Sequence, residues 1–226
     1  MLYRAGPDPL FPYLDKDQRF QFPDPRNAEE NIVAVGGNLS PGMLLSAYEQ
    51  GIFPWYNRDE PILWQSPDPR LVIFPGTLHI SRTMKKILKR REFDISFNRD
   101  FAGVIRGCGE IERPGQEGTW ITDDIIEGYS ELHRLGYALS AESRKDGVLV
   151  GGCYGLLLGK VFCGESMFAK VSNASKAAFL TLAQYLFNER GIQFIDCQVP
   201  TNHLMSLGGE VLSRTEFLQL LENAKP

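Results

Sequence analysis

The segment Ile195-Asp196-Cys197-Gln198 sets an acid and an amide two positions apart. In an extended strand alternate side chains share a face, so Asp196 and Gln198 point one way while Ile195, Cys197 and Val199 point the other. An acid and an amide aimed together from a sheet make a hydrogen-bonding device. The same spacing also suits an acid that pairs with an arginine to hold the fold. A second polar group lies in Gly164-Glu165-Ser166-Met167-Phe168, followed by Lys170 and Asn173-Ala174-Ser175-Lys176. There a strand leads into a helix N-terminus, where free amides and the helix dipole favour anions or oxygen-rich ligands. Third, Arg82, Lys85, Lys86, Lys89, Arg90 and Arg91 follow one another with no acid among them. Arg82/Lys86, Lys85/Lys89 and Lys86/Arg90 are like-charge i,i+4 pairs, each unfavourable by about 0.2–0.5 kcal/mol. A solvated helix face mixes signs, so beside the reading of a plain charged surface stands that of a phosphate-backbone contact, which positions a nucleic acid without reading its sequence. Trp55, Tyr56, Trp64 and Trp120 are candidates for stacking on a base. Each is more often a core or interdomain packing residue, so one or two of them at most are expected to stack.

Weaker signals surround these. Cys108, Cys153, Cys163 and Cys197 stand singly, without a CxxC pair or a disulfide framework, and His79, His133 and His203 are scattered. No metal site is expected from them. Cys197 and His203 as nucleophile and base stand against the plainer reading of a buried strand cysteine followed by a loop histidine. Gly151-Gly152-Cys153-Tyr154-Gly155 marks a bulge or tight packing. The net charge of -4 argues against a nucleic-acid partner, but one biased face outweighs the overall balance. The chain lacks an apolar run near the ~18 residues of a membrane span. Its start, Met1-Leu2-Tyr3-Arg4-Ala5-Gly6-Pro7, lacks a secretory signal, so a cytoplasmic location is expected.

The elements that must position these residues follow from pattern. Residues 1–70 are broken by Phe11-Pro12, Phe22-Pro23, Phe53-Pro54-Trp55 and Trp64-Gln65-Ser66-Pro67-Asp68-Pro69, and read as a small aromatic, proline-rich N-terminal domain. Within it Ser40 caps a helix with Pro41 in its first turn, Leu44, Leu45 and Tyr48 on one face, and Gly51 at its end. Residues 71–226 alternate strands and helices. Leu71–Phe74 is a strand, and Ser81 caps the basic helix, with Met84, Ile87 and Leu88 inward. Thr122-Asp123-Asp124 opens a helix that stops at Gly136. Tyr137–Arg144 and Val148–Leu158 form a hairpin about Lys145-Asp146-Gly147. A strand from Lys160 to Glu165 precedes a long helix from Asn173 or Ala174, with Phe179, Leu182, Ala183 and Leu186 as its apolar stripe. Gln193–Val199 is a strand, and Ser213 with Glu216 forms a capping box for the last helix. Mostly antiparallel strands mixed with helices make an α+β domain.

Together these segments resemble the leucyl/phenylalanyl-tRNA–protein transferase family. The matching stretches are Val35-Gly36-Gly37-Asn38-Leu39-Ser40-Pro41, Tyr48 with Gly51-Ile52-Phe53-Pro54-Trp55, and Ile62-Leu63-Trp64 with Ser66-Pro67-Asp68-Pro69-Arg70. His79-Ile80-Ser81-Arg82, Gly118-Thr119-Trp120-Ile121-Thr122, Gly164 to Phe168, Asn173-Ala174-Ser175-Lys176, and Asp196-Cys197-Gln198 with His203 and Ser206-Leu207-Gly208 continue them in family order. The resemblance implies a two-domain fold whose C-terminal part, residues 71–226, is N-acetyltransferase-like, that is, acyl-CoA acyltransferase-like. It implies transfer of Leu or Phe, with Met as a further donor left open, from tRNA to proteins beginning with Lys or Arg, marking them for degradation. On that resemblance Arg82, Lys85, Lys86, Lys89, Arg90 and Arg91 grip the tRNA, and Met167, Phe179, Leu182, Leu186 and Ile195 form the amino-acid pocket. Trp55 and Trp120 match positions near the terminal adenosine, Glu165 a polar contact to the aminoacyl-adenosine, and Asp196 and Gln198 the residues proposed for catalysis. The chain departs from the pattern with Asn38 for Asp, Cys153 for Met, and Ala169-Lys170 for Ser-Arg, which leaves the preference between Leu and Phe open.

An α-amine with a pKa of about 7.7–8.0 attacks an ester that arrives activated, so no metal, nucleotide or acyl-CoA cofactor is required. Holding the reactants together is worth up to about 7–11 kcal/mol. Gln198 is expected to position the amine through its carbonyl, with Asp196 orienting Gln198 or facing the developing ammonium. A monomer without membrane contact is expected. Two rivals remain at this point. An acyl-CoA N-acyltransferase ordinarily carries a glycine-rich loop where Phe168–Lys176 has none, and a non-enzymatic RNA-binding module leaves Asp196 and Gln198 without a role.

Overall fold

The computed structural model describes residues 4–28, 30–111 and 119–224; Gly118 of the Gly118-Thr119-Trp120 segment and residues 1–3 lie outside them. Three short strands, β1 (Ile32–Val35), β2 (Phe53–Pro54) and β3 (Leu63–Gln65), form a small antiparallel sheet beside helix α1 (Pro41–Glu49). Pro41 opens α1 as expected, but the Ser40 hydroxyl does not cap it: it accepts from the Leu14 amide at 3.1 Å and so fastens the preceding segment. The chain then runs through β4 (Arg70–Ile73), α2 (Arg82–Arg90), β5 (Asp94–Phe97), α3 (Phe101–Glu110), α4 (Asp123–Arg134), β6 (Ala138–Lys145), β7 (Val148–Leu158) and β8 (Val161–Ala169). It ends with α5 (Ala174–Glu189), β9 (Phe194–Gln198), α6 (Asn202–Met205), β10 (Glu210–Leu212) and α7 (Arg214–Ala224). The large sheet has the order β10-β4-β9-β8-β7-β6-β5, antiparallel throughout except for the β8–β9 pair. The fold is α+β.

Alternation along the strands divides the apolar residues between two clusters. One face of the large sheet packs Leu71, Ile73, Phe162 and Ile195 against Met84 and Ile87 of α2 and the stripe of α5. The other packs Val72, Tyr154, Cys163 and Phe194 against α1, α3, α4, α7 and the small sheet. Ser81 and Thr122 cap α2 and α4 through the Met84 and Ile125 amides, and the Ser213–Glu216 capping box starts α7. Arg214 is buried and donates to the Pro25 and Ala28 carbonyls, which ties α7 to the N-terminal segment.

Three of these elements differ from expectation. Strand β5 and helix α3 fill a stretch the periodicity did not mark, since Phe101–Glu110 carries three glycines. Tertiary packing makes this helix: Asp100 caps it through the Gly103 amide at 2.9 Å, and Phe101, Val104, Ile105 and Cys108 are buried. Strand β8 continues past Glu165 to Ala169, because the strand absorbs a bulge there. Tyr154 pairs with Ser166 and Gly155 with Gly164, leaving Glu165 as the extra residue.

Close packing accounts for glycines of β7. A Cβ at Gly151 would stand 2.6 Å from the Ala174 Cβ in the first turn of α5, and one at Gly155 would stand 2.2 Å from the Cys163 carbonyl oxygen beside the bulge. Overpacking of this kind destabilises by about 1–3 kcal/mol. Gly155→Ala is therefore expected to lower the unfolding free energy in urea by about that amount. Gly76→Ala, with nothing within 4 Å of the added methyl, should change it by less than about 0.5 kcal/mol.

Candidate active site

The site lies where the sheet divides. Parallel strands β8 and β9 pair from Val161–Phe194 to Cys163–Asp196, and then part. A cavity of about 280 Å³ opens at the split, just under the usual range for small-molecule sites of ~300–1,000 Å³. Because it passes between strands, it is walled by residues from both faces. Cys153, Phe162, Met167, Phe179 and Cys197 make an apolar recess on the α5 side. Trp55, Trp120, Tyr154 and Glu165 stand on the other, and Thr201, His203 and Leu204 complete the wall.

The bulge explains how one strand serves both. Phe162 and Met167 belong with the α5-side cluster, while Cys163 and Phe168 belong with the opposite one, spacings of five that strict alternation forbids. The extra residue switches the faces, and its own side chain is re-aimed into the cavity. Glu165 Oε1 accepts from Gln198 Nε2 at 3.1 Å. The Glu165 carboxyl is pushed up to about 8, chiefly by burial; the Tyr48 and Tyr129 hydroxyls beside it and Arg70 pull it down, and Asp196 adds to the rise. Tyr48 and Tyr129, which hydrogen-bond to each other, are held well above their usual range, again mainly by burial.

Gln198 has φ +61, the left-handed region that a non-glycine residue occupies at a cost of about 1–2 kcal/mol. Its amide donates to Asp196 Oδ1 at 2.9 Å. The same carboxylate takes Arg70 Nε at 2.8 Å and Nη2 at 2.7 Å, with both side chains 1% exposed. Arg70 Nη1 reaches the Gly51 carbonyl at 3.3 Å, and its guanidinium lies 5.0 Å from the Phe53 ring centroid and 4.3 Å from that of Phe217. Asp196 thus faces Arg70 inside the protein and does not line the cavity. It reaches the site through the Gln198 backbone.

Of the residues singled out from sequence, Trp55, Trp120, Glu165, Met167 and Phe179 come together around the cavity, and Gln198, not itself on the wall, is bonded to Glu165. Leu182, Leu186 and Ile195, expected from the resemblance in the amino-acid pocket, are not among the residues that line this cavity. They are at most 1% exposed and lie between α5 and the paired part of β9, as core. Trp64 and Tyr56 are core residues as well, the Trp64 indole donating to the Gly36 carbonyl at 2.8 Å. Cys197 and His203 share the cavity wall, but burial first, then Asp196, pushes the thiol up, away from a nucleophilic thiolate. All six cations from Arg82 to Arg91 are exposed, and among the described residues the ion pair found on them is a 3.9 Å Arg90–Glu92 contact. Their helix packs on α5, which supplies Phe179 to the cavity. Sequence reasoning missed Arg70, Tyr48 and Tyr129 as parts of the site. Arg70 closes a quoted motif but lacked a partner, and the tyrosines read as helix core.

Asn38 shows how one departure fits locally. Its amide nitrogen donates to the Phe11 and Pro12 carbonyls at 3.0 and 3.1 Å, bonds an aspartate cannot make.

Comparison with known proteins agrees along the chain. Residues 37–68 match the family described as leucyl/phenylalanyl-tRNA protein transferase N-terminal domain, and residues 72–222 match the one described as leucyl/phenylalanyl-tRNA protein transferase. The leucyl/phenylalanyl-tRNA–protein transferase of Flavobacterium johnsoniae is 52% identical over 93% of this chain and 99% of its own. That of Solidesulfovibrio magneticus is 46% identical over 96% of this chain and 87% of its own. Among solved structures, a GCN5-related N-acetyltransferase from Kribbella flavida aligns with 76% of this chain and 60% of its own at 13% identity and a TM-score of 0.40. With family models over both its parts and relatives aligned along nearly its full length, the chain belongs to the leucyl/phenylalanyl-tRNA–protein transferase family.

Proposed function

We propose that this chain transfers leucine or phenylalanine from aminoacyl-tRNA to the α-amine of proteins beginning with Lys or Arg, in the cavity between β8 and β9. One observation carries the reading: the split sheet sets an apolar recess, the Glu165 carboxyl that Gln198 holds, and two indoles around one space. Met167 and Phe179, with Phe162 and Cys153, take the amino-acid side chain. Trp55, 39% exposed, and Trp120 flank the terminal adenosine. Arg82, Lys85, Lys86, Lys89, Arg90 and Arg91 contact the tRNA backbone. Gln198 holds the reacting groups from its fixed backbone, and Asp196 is a positioning residue with its charge matched by Arg70. Such a product enters the N-degron route of protein degradation, and the reaction belongs in the cytoplasm, where charged tRNA is found. No described helix is long and apolar enough to cross a membrane.

The magnitudes favour holding over proton chemistry at Gln198. A carboxamide is a very poor base, whereas fixing amine and ester in contact is worth up to about 7–11 kcal/mol. The acyl-CoA alternative has little to stand on, since the turn before α5 carries side chains at every position from Phe168 to Lys176.

Purified protein with radiolabelled Leu-tRNA or Phe-tRNA should label peptides beginning with Arg or Lys and leave those beginning with Asp or Ala unlabelled. Label on the Asp peptide would overturn the acceptor assignment, and bound tRNA without any product would overturn transfer. The recess makes a second prediction. Cys153→Met fills space in a cavity of about 280 Å³, so use of Phe-tRNA should fall about 10-fold relative to Leu-tRNA in competition kinetics. Equal losses for both donors would place the side chain elsewhere.

A further inference from the structure

Gln198 spends its NH2 group on Glu165, and that bond raises the question of where the proton of the attacking amine goes. Glu165 is the residue the β8 bulge turns into the cavity. Its Oε1 is fixed by Gln198, while Oε2 is buried, with the Tyr48 and Tyr129 hydroxyls beside the carboxyl. A carboxyl pinned by Gln198 and flanked by two hydroxyls, on the wall of the space where ester and amine must meet, is arranged to accept a proton. We propose that Glu165 is the general base of the transfer, taking the proton from the incoming α-amine and returning it to the leaving ribose oxygen.

The step balances within the groups present. The amine lone pair forms the new C–N bond to the ester carbonyl carbon, and the carbonyl π electrons move to oxygen. The N–H proton passes to the Glu165 carboxylate. Collapse of the intermediate breaks the ester C–O bond, and the proton leaves Glu165 for the ribose oxygen. The products are an amide and an uncharged tRNA end, with the carboxylate restored. This assignment rests on the transfer reaction proposed above.

The surroundings suit the exchange. Tyr48 of α1 and Tyr129 of α4 face the carboxyl, Asp196 of β9 lies behind it with Arg70 of β4, and Cys163 precedes it on β8. Burial dominates and brings the carboxyl to about 8, close to the ~7.7–8.0 of a free α-amine, so proton transfer between them is nearly level. His203, also on the cavity wall, is lowered by burial and by Lys176. It lies on α6.

The test is the pH profile of transfer from Leu-tRNA to an Arg-initiated peptide, at subsaturating peptide and in single turnover. If both a neutral amine and an ionised Glu165 are needed, log rate should rise with a slope approaching 2 below about pH 7 and level off above about pH 9. In Glu165→Gln the slope should fall to 1, that of the amine alone, with a plateau about 10²-fold lower. The amide is close in shape to the protonated acid that predominates at neutral pH, so this variant should fold and bind Leu-tRNA. Gln198→Ala should lower the rate yet keep the slope of 2, its break moved upward because the carboxylate loses a donor. A slope of 1 in the unaltered protein, or a slope of 2 persisting in Glu165→Gln, overturns the base assignment alone. Absence of transfer at every pH overturns the reaction itself.

Discussion

Arg70 and Asp196 meet across β4 and β9 in a two-pronged contact from which water is excluded, each side chain 1% exposed. Two charges removed from water in this way gain little net stability over well-packed apolar residues. Leaving either one alone costs about 3–5 kcal/mol. The pair is therefore weak evidence for stability, and its worth lies in what it fixes. Arg70 reaches back to the end of α1 through Gly51 and lies between the Phe53 and Phe217 rings. Asp196 reaches forward to the Gln198 amide. One contact thus joins the small sheet, α7 and β9, and holds Gln198 in a backbone conformation its side chain alone would not choose.

The cavity follows from a conflict between that strand and its neighbour. β9 turns into the left-handed conformation at Gln198 just after its pairing with β8 ends, while β8 runs on through a bulge to Ala169. The sheet divides at its centre, so apolar residues of one face and polar residues of the other border a single space. An ester with an apolar side chain at one end and a nucleoside at the other has that same division. The bulge matters twice over: it switches Met167 to the apolar side, and it turns Glu165 inward against the Tyr48–Tyr129 pair.

Much of this was legible in the sequence, for physical reasons that also mark the limit. Helices with strong caps and clear spacing, such as α2 behind Ser81 and α4 behind Thr122, declare themselves, as does the Asp146-Gly147 turn, whose φ values of +52 and +79 the residue types anticipate. Helix α3 does not, since glycine lowers its intrinsic preference and its stability comes from the sheet beneath it. Bulges are invisible to a period-2 pattern, and the end of β8 was lost with the bulge at Glu165. Phe179, Leu182 and Leu186 share one stripe, and nothing in the spacing separates the residue that borders the cavity from the two that face the sheet. The Asp196–Gln198 device was readable as a polar pair, but not that Asp196 turns away from the site. That depends on Arg70, 126 positions earlier in the chain, finding it first.

The Arg70–Asp196 pair serves positioning more than stability. This is tested most directly by replacing both residues together with apolar ones, Arg70→Met with Asp196→Leu, and measuring unfolding in urea beside transfer from Leu-tRNA. Stability should stay within about 1–2 kcal/mol of the unaltered protein, because no charge is left unpaired. Transfer should fall by about 10²-fold or more with tRNA binding retained, because the Gln198 amide has lost its acceptor. A stable double variant that transfers at the original rate would contradict the positioning role.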